Sequence, residues 1–289
     1  MFTIENPDLK IIISAKGAEL QSVFHKGHQL EYLWEGDPAY WAKRSPLLFP
    51  IVGTLKSETY YFKDKPYHLG RHGFARDMEF EVEEWQFDSI RFVLNSNEET
   101  LQKFPFIFQL RVSYLLKGDS LQVLYSVKNP AGTEMYFSIG GHPAFKVPLE
   151  ADTSYTDYHL LFGRQETAPR WPISKEGLIE SKPDPFLRDQ AELPLDKRLF
   201  TRDALVFKNL ASSVVSLRSD KTPHGLDFTF NGFPFLGIWA APNADFVCIE
   251  PWCGIADPVD TDQQLKSKEG INRLGPGETF ERSWSIALY

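Results

Sequence analysis

The chain contains, in direct succession, the segments LRVSYLL at residues 110–116, KGDS at 117–120 and LQVLYSV at 121–127. Apolar residues alternate with polar ones in both outer segments, which is the period of a β-strand with one buried face. The glycine and polar residues between them are typical of a tight turn. This stretch therefore predicts an antiparallel β-hairpin.

The same pattern recurs along the chain, and helical signals are scarce. Two more hairpins are predicted, one at 59–62 with 66–69 and one at 79–87 with 89–94, and late strands at 226–230 and 280–288. One short helix is expected at 97–104, where Asn97 supplies a cap and Pro105 prevents continuation. Many short strands separated by Gly and Pro predict an all-β sandwich or barrel.

Length and composition fit a globular protein with a large core. The 289 residues are 42% hydrophobic and 24% charged, so disorder is not expected. The segment 163–198 is rich in proline and is either a long loop over a sheet or a linker. Because strand signals of the same kind flank it, we predict a single domain over residues 1–289.

Charge and hydropathy argue against two classes of partner. The formal net charge is −8 and no basic cluster is present, so a nucleic-acid partner is not expected. The N-terminal residues lack the features of a signal peptide, and no stretch approaches the ~18 apolar residues of a membrane helix. A cytoplasmic protein is the expectation, while the oligomeric state stays open.

Metal and nucleotide chemistry have little support in the sequence. Cys248 and Cys253 are expected to be free thiols in a buried strand and its turn, with too few further ligands at a recognisable spacing for zinc. His25 and His28 flank a predicted turn and are expected to be solvated. No Walker loop, Gly-x-Gly-x-x-Gly, Gly-x-Ser-x-Gly or His-Glu-x-x-His is present, so a nucleotide cofactor is not indicated.

Three titratable residues lie in apolar, turn-rich segments: His142 in IGGHPAF (139–145), His72 in RHGFAR (71–76) and Glu250 in CIEPWCG (248–254). Two imidazoles and a carboxylate can move protons between oxygens near neutral pH. We expect the two glycines before His142 to give the backbone unusual freedom and to let a ligand approach closely. The alternatives are a core histidine, a buried ion pair at Glu250 and a solvated loop at His72.

Four segments together resemble the aldose 1-epimerase (mutarotase) family, and most of all its LacX-like branch. They are WAKRSPLLFPIVG at 41–53, HGFARD at 72–77, GGHPAF at 140–145 and CIEPW at 248–252, and they occur in this order over nearly the whole chain. The resemblance implies a galactose-mutarotase-like antiparallel β-supersandwich whose concave face binds a monosaccharide or a sugar phosphate. It also implies a reaction without metal or organic cofactor.

The resemblance assigns roles to individual residues. Glu250 would be the general base that removes the proton from the anomeric hydroxyl, and His142 the general acid that protonates the ring oxygen. His72, the third catalytic residue, would hold the substrate and assist the charge shift. Arg76, Asp203 and Arg71 are the expected substrate-binding residues. Together they predict an aldose 1-epimerase that interconverts the α and β anomers of a hexose.

One departure from the family pattern leaves other functions open. Many mutarotases have an arginine where this chain has Thr54. The single hydroxyl of a threonine cannot replace the several N–H donors of a guanidinium group. A hexose-6-phosphate mutarotase remains an alternative if Arg44, Arg71 and Arg76 form one cluster, and so does a sugar-binding protein without turnover. Phe74, Phe145 or Trp252 are candidates to contact the apolar face of a sugar.

Overall fold

Short antiparallel strands form most of the regular structure, which a computed structural model describes over residues 1–289. Every pairing between strands is antiparallel. The strands are β1 Phe2–Glu5, β2 Leu9–Ile13, β3 Leu20–His25, β4 Leu30–Glu31, β5 Leu47–Leu48, β6 Thr59–Phe62, β7 Lys65–His68, β8 Glu81–Trp85, β9 Ser89–Asn95, β10 Gln109–Lys117, β11 Ser120–Lys128, β12 Met135–Phe137, β13 Ile139–Gly141, β14 Ala144–Lys146, β15 Tyr158–Glu166, β16 Gln190–Pro194, β17 Leu205–Lys208, β18 Val214–Ser219, β19 Leu226–Thr229, β20 Phe235–Trp239, β21 Phe246–Cys253, β22 Asn272–Leu274 and β23 Thr279–Leu288. The predicted all-β class is confirmed.

The single α-helix, α1, spans Glu98–Lys103 where the sequence predicted it. Its cap is reciprocal, because the Thr100 amide donates to the Asn97 side chain (2.9 Å) and the Asn97 amide donates to Thr100 Oγ1 (2.8 Å). No helix in the structure has the length and apolar content needed to cross a membrane. The remaining helical pieces are short 3₁₀ turns at Lys56–Glu58, Ala75–Asp77, Tyr155–Asp157, Lys197–Phe200 and Leu265–Ser267.

The predicted hairpin at 110–127 forms two neighbouring interior strands of the largest sheet. Strands β10 and β11 pair without interruption from Gln109 opposite Lys128 to Lys117 opposite Ser120, and β23 pairs with the other edge of β11. Nine strands follow the order β16-β15-β18-β19-β23-β11-β10-β9-β8. The hairpins β6–β7 and β8–β9 also form as predicted.

A second sheet carries the residues singled out for chemistry. Its strands follow the order β17-β20-β21-β13-β5, and β14 pairs with β21 beside that path. His142 lies between β13 and β14, and Glu250 lies within β21. Smaller sheets are formed by β1 to β4, by β12 with β22 and by β6 with β7.

One apolar core of 74 buried residues extends from Ile4 to Leu288 and includes side chains of both large sheets. A smaller cluster of nine buried residues, Val206 and Trp252 among them, lies on the other side of the second sheet. Between β15 and β16 the proline-rich stretch forms a long loop, as one of the two predicted alternatives had it. Within that loop Ile173 bridges to Ile179, which in turn bridges to Pro258.

Candidate active site

A cavity of about 310 Å³ opens over the second sheet, and all six residues predicted for the site line it. We call it the site cavity. The predicted residues are His72, His142, Glu250, Arg71, Arg76 and Asp203; the others are Trp41, Gly53, Ile173, Gly177, Ile179, Ala204, Val206, Trp239, Trp252 and Ala256. Half of the lining is hydrophobic. A cavity with apolar walls and a few converging polar groups is the usual form of a small-molecule site.

Glu250 reaches the cavity from the middle of a fully buried strand. β21 pairs with β20 on one side and with β13 and β14 on the other, and every residue of β21 is buried. Since side chains alternate along a strand, Cys248, Glu250 and Trp252 share one face. The Glu250 residue is only 2% exposed, which makes ionisation costly without a partner.

His142 is also buried, and the two glycines before it serve packing and not ligand approach. A Cβ added at Gly140 would lie 2.7 Å from Cδ1 of Trp252. One added at Gly141 would lie 2.8 Å from the hydroxyl of Tyr125. Neither glycine has a positive φ. The expectation of unusual backbone freedom and close ligand approach is therefore wrong, because neighbouring aromatic side chains fill the space.

The imidazole and the carboxylate are in contact with each other. His142 Nε2 lies 3.3 Å from Glu250 Oε2. Burial raises the pKa of Glu250 well above its ordinary value and lowers the pKa of His142 to about 3. Trp41 stacks on His142 at 4.8 Å between ring centroids, and Trp239 meets it edge-on at 5.7 Å. The dry surroundings favour a neutral pair that shares one proton.

His72 is held in one orientation and one tautomer by the neighbouring loop. The Gly53 amide donates to His72 Nδ1 (3.1 Å), and the His72 amide donates to the Gly53 carbonyl (2.8 Å). Because Nδ1 accepts, the proton of the neutral ring is on Nε2. Burial holds the pKa of His72 well below its usual range. Its ring centroid is 5.8 Å from that of His142, so the two imidazoles are neighbours in the cavity.

The backbone that presents His72 has the left-handed conformation. His72 has φ +70° and Gly73 has φ +72°. A Cβ on Gly73 would lie only 2.3 Å from the carbonyl oxygen of Phe49. A non-glycine residue with positive φ is uncommon and is often found at functional sites. Gly73 is thus the residue that allows the chain to turn directly after His72.

Gly73→Ala is expected to lower the free energy of unfolding by about 2–5 kcal/mol, the sum of a left-handed alanine and a clash with the Phe49 carbonyl. Gly277→Ala is the matched control, since Gly277 has φ +74° but nothing within 4 Å of its added Cβ. That control should lose only the conformational part, about 1–2 kcal/mol. Urea unfolding of both variants measures the difference, and equal losses would contradict the close contact.

The arginines and Asp203 lie at the rim of the site cavity. Arg71 is 3.6 Å from Asp203, and both side chains are partly exposed. Arg76 donates to the Arg71 carbonyl (2.9 Å), while its buried Nε makes no hydrogen bond and lies 3.7 Å from Asp77 Oδ2. Arg44 does not line the cavity, and its guanidinium donates to the Gln21 carbonyl. A three-arginine cluster that includes Arg44 is therefore not formed.

Thr54 faces the long loop between β15 and β16. A Cβ on Gly177, whose φ is +81°, would lie 2.6 Å from Thr54 Oγ1, so the two residues are in close contact. Gly177 lines the cavity and Thr54 does not. The Thr54 carbonyl accepts from the Asp257 amide (2.9 Å). An arginine at position 54 would have to displace this turn before it could reach the cavity.

The aromatic wall differs from the prediction. Trp252 lines the cavity as expected, but Phe74 and Phe145 do not. Phe74 packs against Phe49 and Phe104, while Phe145 packs against Phe228, so both belong to the core. Trp41 and Trp239 take their place. The only indication in the sequence that Trp41 belongs to the site was its place in the family-like segment 41–53. Nothing in the sequence indicated Trp239.

Comparison with known proteins gives a consistent assignment. The model of the family described as aldose 1-epimerase matches residues 1–269. The chain is 36% identical over 295 residues to protein LacX, chromosomal, of Lactococcus lactis subsp. lactis, covering 99% of this chain and 98% of that protein. The similarity thus extends well beyond the four segments quoted above.

Two solved structures have the same fold over the full chain. One is described as a galactose mutarotase related enzyme from Lactobacillus acidophilus, with 38% identity, a TM-score of 0.94 and coverage of 100% of this chain and 97% of that one. The other is a galactose mutarotase-like protein from Lactobacillus casei, with 32% identity, a TM-score of 0.94 and full coverage of both chains. The predicted galactose-mutarotase-like fold is confirmed.

Proposed function

The chain belongs to the aldose 1-epimerase family, and from this premise we propose that it is an isomerase that interconverts the α and β anomers of a free hexose in the site cavity. The relatives carry the assignment only as far as a sugar epimerase. The particular sugar and the roles of individual residues are our proposal. Both are inferred from the residues that line the site cavity.

The observation that carries the proposal is the 3.3 Å separation of His142 Nε2 and Glu250 Oε2. Anomer exchange needs a proton removed from the hydroxyl oxygen O1 and a proton given to the ring oxygen O5. Both oxygens are bonded to the same carbon, C1. The acid and the base must therefore be close neighbours, and a contacting imidazole and carboxylate at the floor of an apolar cavity meet that requirement.

In the proposed reaction, Glu250 takes the proton of O1 while His142 gives a proton to O5. The C1–O5 bond breaks and the C1–O1 bond becomes a carbonyl. Rotation about C1–C2 presents the other face of the aldehyde, and the same two transfers in reverse close the ring as the other anomer. The number of protons on the pair is one before opening and one after closure, so the protein returns to its starting state.

Burial favours the proton on Glu250 in the empty cavity, whereas opening starts with the proton on His142. The direct contact between Oε2 and Nε2 gives that proton a path of one hydrogen bond. Arg71 lowers the pKa of both groups, so its positive charge favours the ionised form of Glu250 but disfavours the imidazolium of His142, and it does not by itself move the proton. The substrate therefore meets a pair whose single proton can be on either partner.

The remaining residues hold the sugar. His72 presents an Nε2–H donor next to His142 because its Nδ1 is occupied by the Gly53 amide. Arg71, Arg76 and Asp203 offer charged donors and an acceptor to hydroxyl groups at the rim. Trp41, Trp239 and Trp252 form a wall against which the apolar CH face of a pyranose can pack.

A hexose 6-phosphate is the second candidate substrate. Its supporting observation is that Arg71 and Arg76 both line the cavity, and that the buried Arg76 Nε makes no hydrogen bond. Two guanidinium groups favour a phosphate dianion. Asp203 beside Arg71 opposes that binding by charge repulsion, and this makes the free hexose our first choice.

Polarimetry separates these possibilities. Freshly dissolved α-glucose, α-galactose and glucose 6-phosphate are each mixed with catalytic amounts of protein, and the approach to anomeric equilibrium is compared with the spontaneous rate. We expect acceleration for at least one free hexose and a smaller one for the phosphate. Acceleration of none of the three, with sugar binding retained in a titration, would identify a sugar-binding protein instead.

The pH dependence of kcat/KM is expected to be flat from about pH 7 down to pH 5. The active pair has one proton, and a second proton would have to enter His142, whose pKa burial lowers to about 3. The alkaline limb should appear where Glu250 loses the shared proton, above the ordinary glutamate range because its pKa is raised. Rates are measured with the spontaneous rate subtracted at each pH. An acid limb centred near 6.5, the ordinary value for histidine, would contradict a buried pair.

A further inference from the structure

A third potential ligand lies behind the catalytic pair. Cys248, His142 and Glu250 each offer one ligand atom, and these atoms all lie within 4.8 Å of one another. Cys248 is two residues before Glu250 on the same face of β21 and is completely buried. Its thiol is free and does not line the site cavity. The proposed mechanism gives it no task.

We propose that Cys248, His142 and Glu250 form a binding site for a Zn²⁺ ion, and that zinc bound there blocks the site cavity and inhibits the protein. Sulfur, imidazole nitrogen and carboxylate oxygen are the three ligand types that zinc prefers. Three protein ligands with a fourth position open to solvent is also a common coordination number for an accessible zinc site.

The distance within the pair suits a tetrahedral ion. Zinc binds nitrogen and oxygen at about 2.0–2.2 Å, so two such ligands in a tetrahedron lie about 3.3 Å apart. His142 Nε2 and Glu250 Oε2 are already separated by 3.3 Å. A sulfur at about 2.3 Å from zinc should be about 3.6 Å from each of them. The three ligand atoms lie within 4.8 Å of one another, so each distance from the sulfur has to shorten by at most about 1.2 Å.

Charge balance removes the main obstacle to an ion in a dry site. Binding releases two protons to solvent, one from the Cys248 thiol and the one shared by His142 and Glu250. The thiolate and the carboxylate that remain carry two negative charges, which neutralise Zn²⁺ while the imidazole stays neutral. The buried unit thus has no net charge with the ion, as the proton-sharing pair has none without it. A buried group of charges is tolerable when it is fully paired and ligated.

The position of the three ligands explains how zinc can enter the site and why it would inhibit the protein. His142 and Glu250 line the site cavity and Cys248 does not, so an ion can reach the pair through the cavity, and a fourth ligand would have to come from that side. Zinc on Nε2 and Oε2 occupies the atoms that would exchange protons with the sugar. Inhibition should therefore be relieved by high sugar concentration and by a chelator.

Zinc binding is tested without any activity measurement, by competition with a chromogenic chelator on the full chain. We expect one equivalent bound by the wild type. Cys248→Ser should weaken binding at least tenfold, since removing a ligand costs no less than removing an outer-shell partner. Cys253→Ser is the matched control, because Cys253 is a buried thiol in the same strand but outside the ligand group, and it should bind like the wild type.

A second readout needs no variant. Cd²⁺ added to the wild type should produce the ultraviolet charge-transfer band of a cadmium thiolate with one equivalent of metal. Circular dichroism and thermal unfolding show whether the serine variant is folded, and Cys248→Ala replaces it if it is not. Absence of the thiolate band, or equal zinc affinity in Cys248→Ser and the wild type, would overturn the proposal.

The inhibitory part rests on the proposed function and is measured separately by anomer exchange. Zinc at about ten times its Kd should lower the wild-type rate about tenfold, while Cys248→Ala should be inhibited at least tenfold less readily. If no anomer exchange is found at all, the proposed function fails while the zinc titrations still decide the site. If exchange is present and zinc binds without slowing it, the inhibitory role is refuted.

Discussion

Glu250→Gln is expected to lower the catalysed rate of anomer exchange by about 10²–10⁴-fold, the contribution of one positioned acid or base. Glutamine keeps the volume of the side chain but cannot accept a proton from O1. The variant should stay folded, because burial already favours the neutral form of Glu250 and an amide is neutral too. Sugar binding should weaken far less than turnover. NMR exchange rates and a urea unfolding curve measure the two effects.

The matched control is Glu166→Gln. Glu166 is also a buried glutamate, 3% exposed, but it accepts from the Ala211 and Ser212 amides away from the site cavity. Its loss should reduce stability and leave the exchange rate per folded molecule nearly unchanged. If Glu250→Gln exchanged anomers at the wild-type rate, Glu250 would not be the base.

His142→Asn is expected to cause a loss of similar size, about 10²–10⁴-fold, because the asparagine amide cannot carry a transferable proton to O5. The double variant with Glu250→Gln should be barely slower than either single variant. Residues that act as one unit are strongly non-additive, and the 3.3 Å contact makes these two a unit. Kinetics of the four proteins on the same hexose form the complete cycle. Fully multiplicative losses would mean that the two groups act independently.

Local sequence patterns were enough to predict three hairpins, the short helix and the two late strands, but not most strands of the second sheet. In the segment 110–127, apolar and polar residues alternate on both sides of a turn. In the structure the two strands form there and pair without interruption. The helix was predictable because its cap and its stop are neighbours in sequence. The single domain over 1–289 stays a prediction, which a core shared by residues from Ile4 to Leu288 supports.

The site was predictable only where a residue carried its own chemistry. The titratable residues could be selected from their segments, and the structure brings them into one cavity. The tryptophan wall could not be selected, because Trp41 and Trp239 differ from core aromatics only through distant packing. The role of Gly140 was misjudged for the same reason: the atom that demands a glycine is the Trp252 ring on another strand.

The position of the long loop was also beyond local reasoning. Ile173, Gly177 and Ile179 close one side of the cavity although their stretch had only been expected to lie over a sheet. The contact between Gly177 and Thr54 joins two segments that are far apart in sequence. A substitution at position 54 is therefore expected to disturb the turn at Gly177. Comparing the hydrogen-bond donors of threonine and arginine would not have indicated this effect.

The central claim is that the His142–Glu250 pair transfers protons to and from one sugar carbon. Two-dimensional exchange NMR of a hexose at anomeric equilibrium tests it most directly, since no net reaction is needed and only interconversion gives a cross-peak. With wild-type protein we predict a cross-peak between the α and β anomeric protons, and with Glu250→Gln none above the spontaneous rate. Exchange of equal rate in both samples, or no exchange with the wild type for any hexose tested, would contradict the claim.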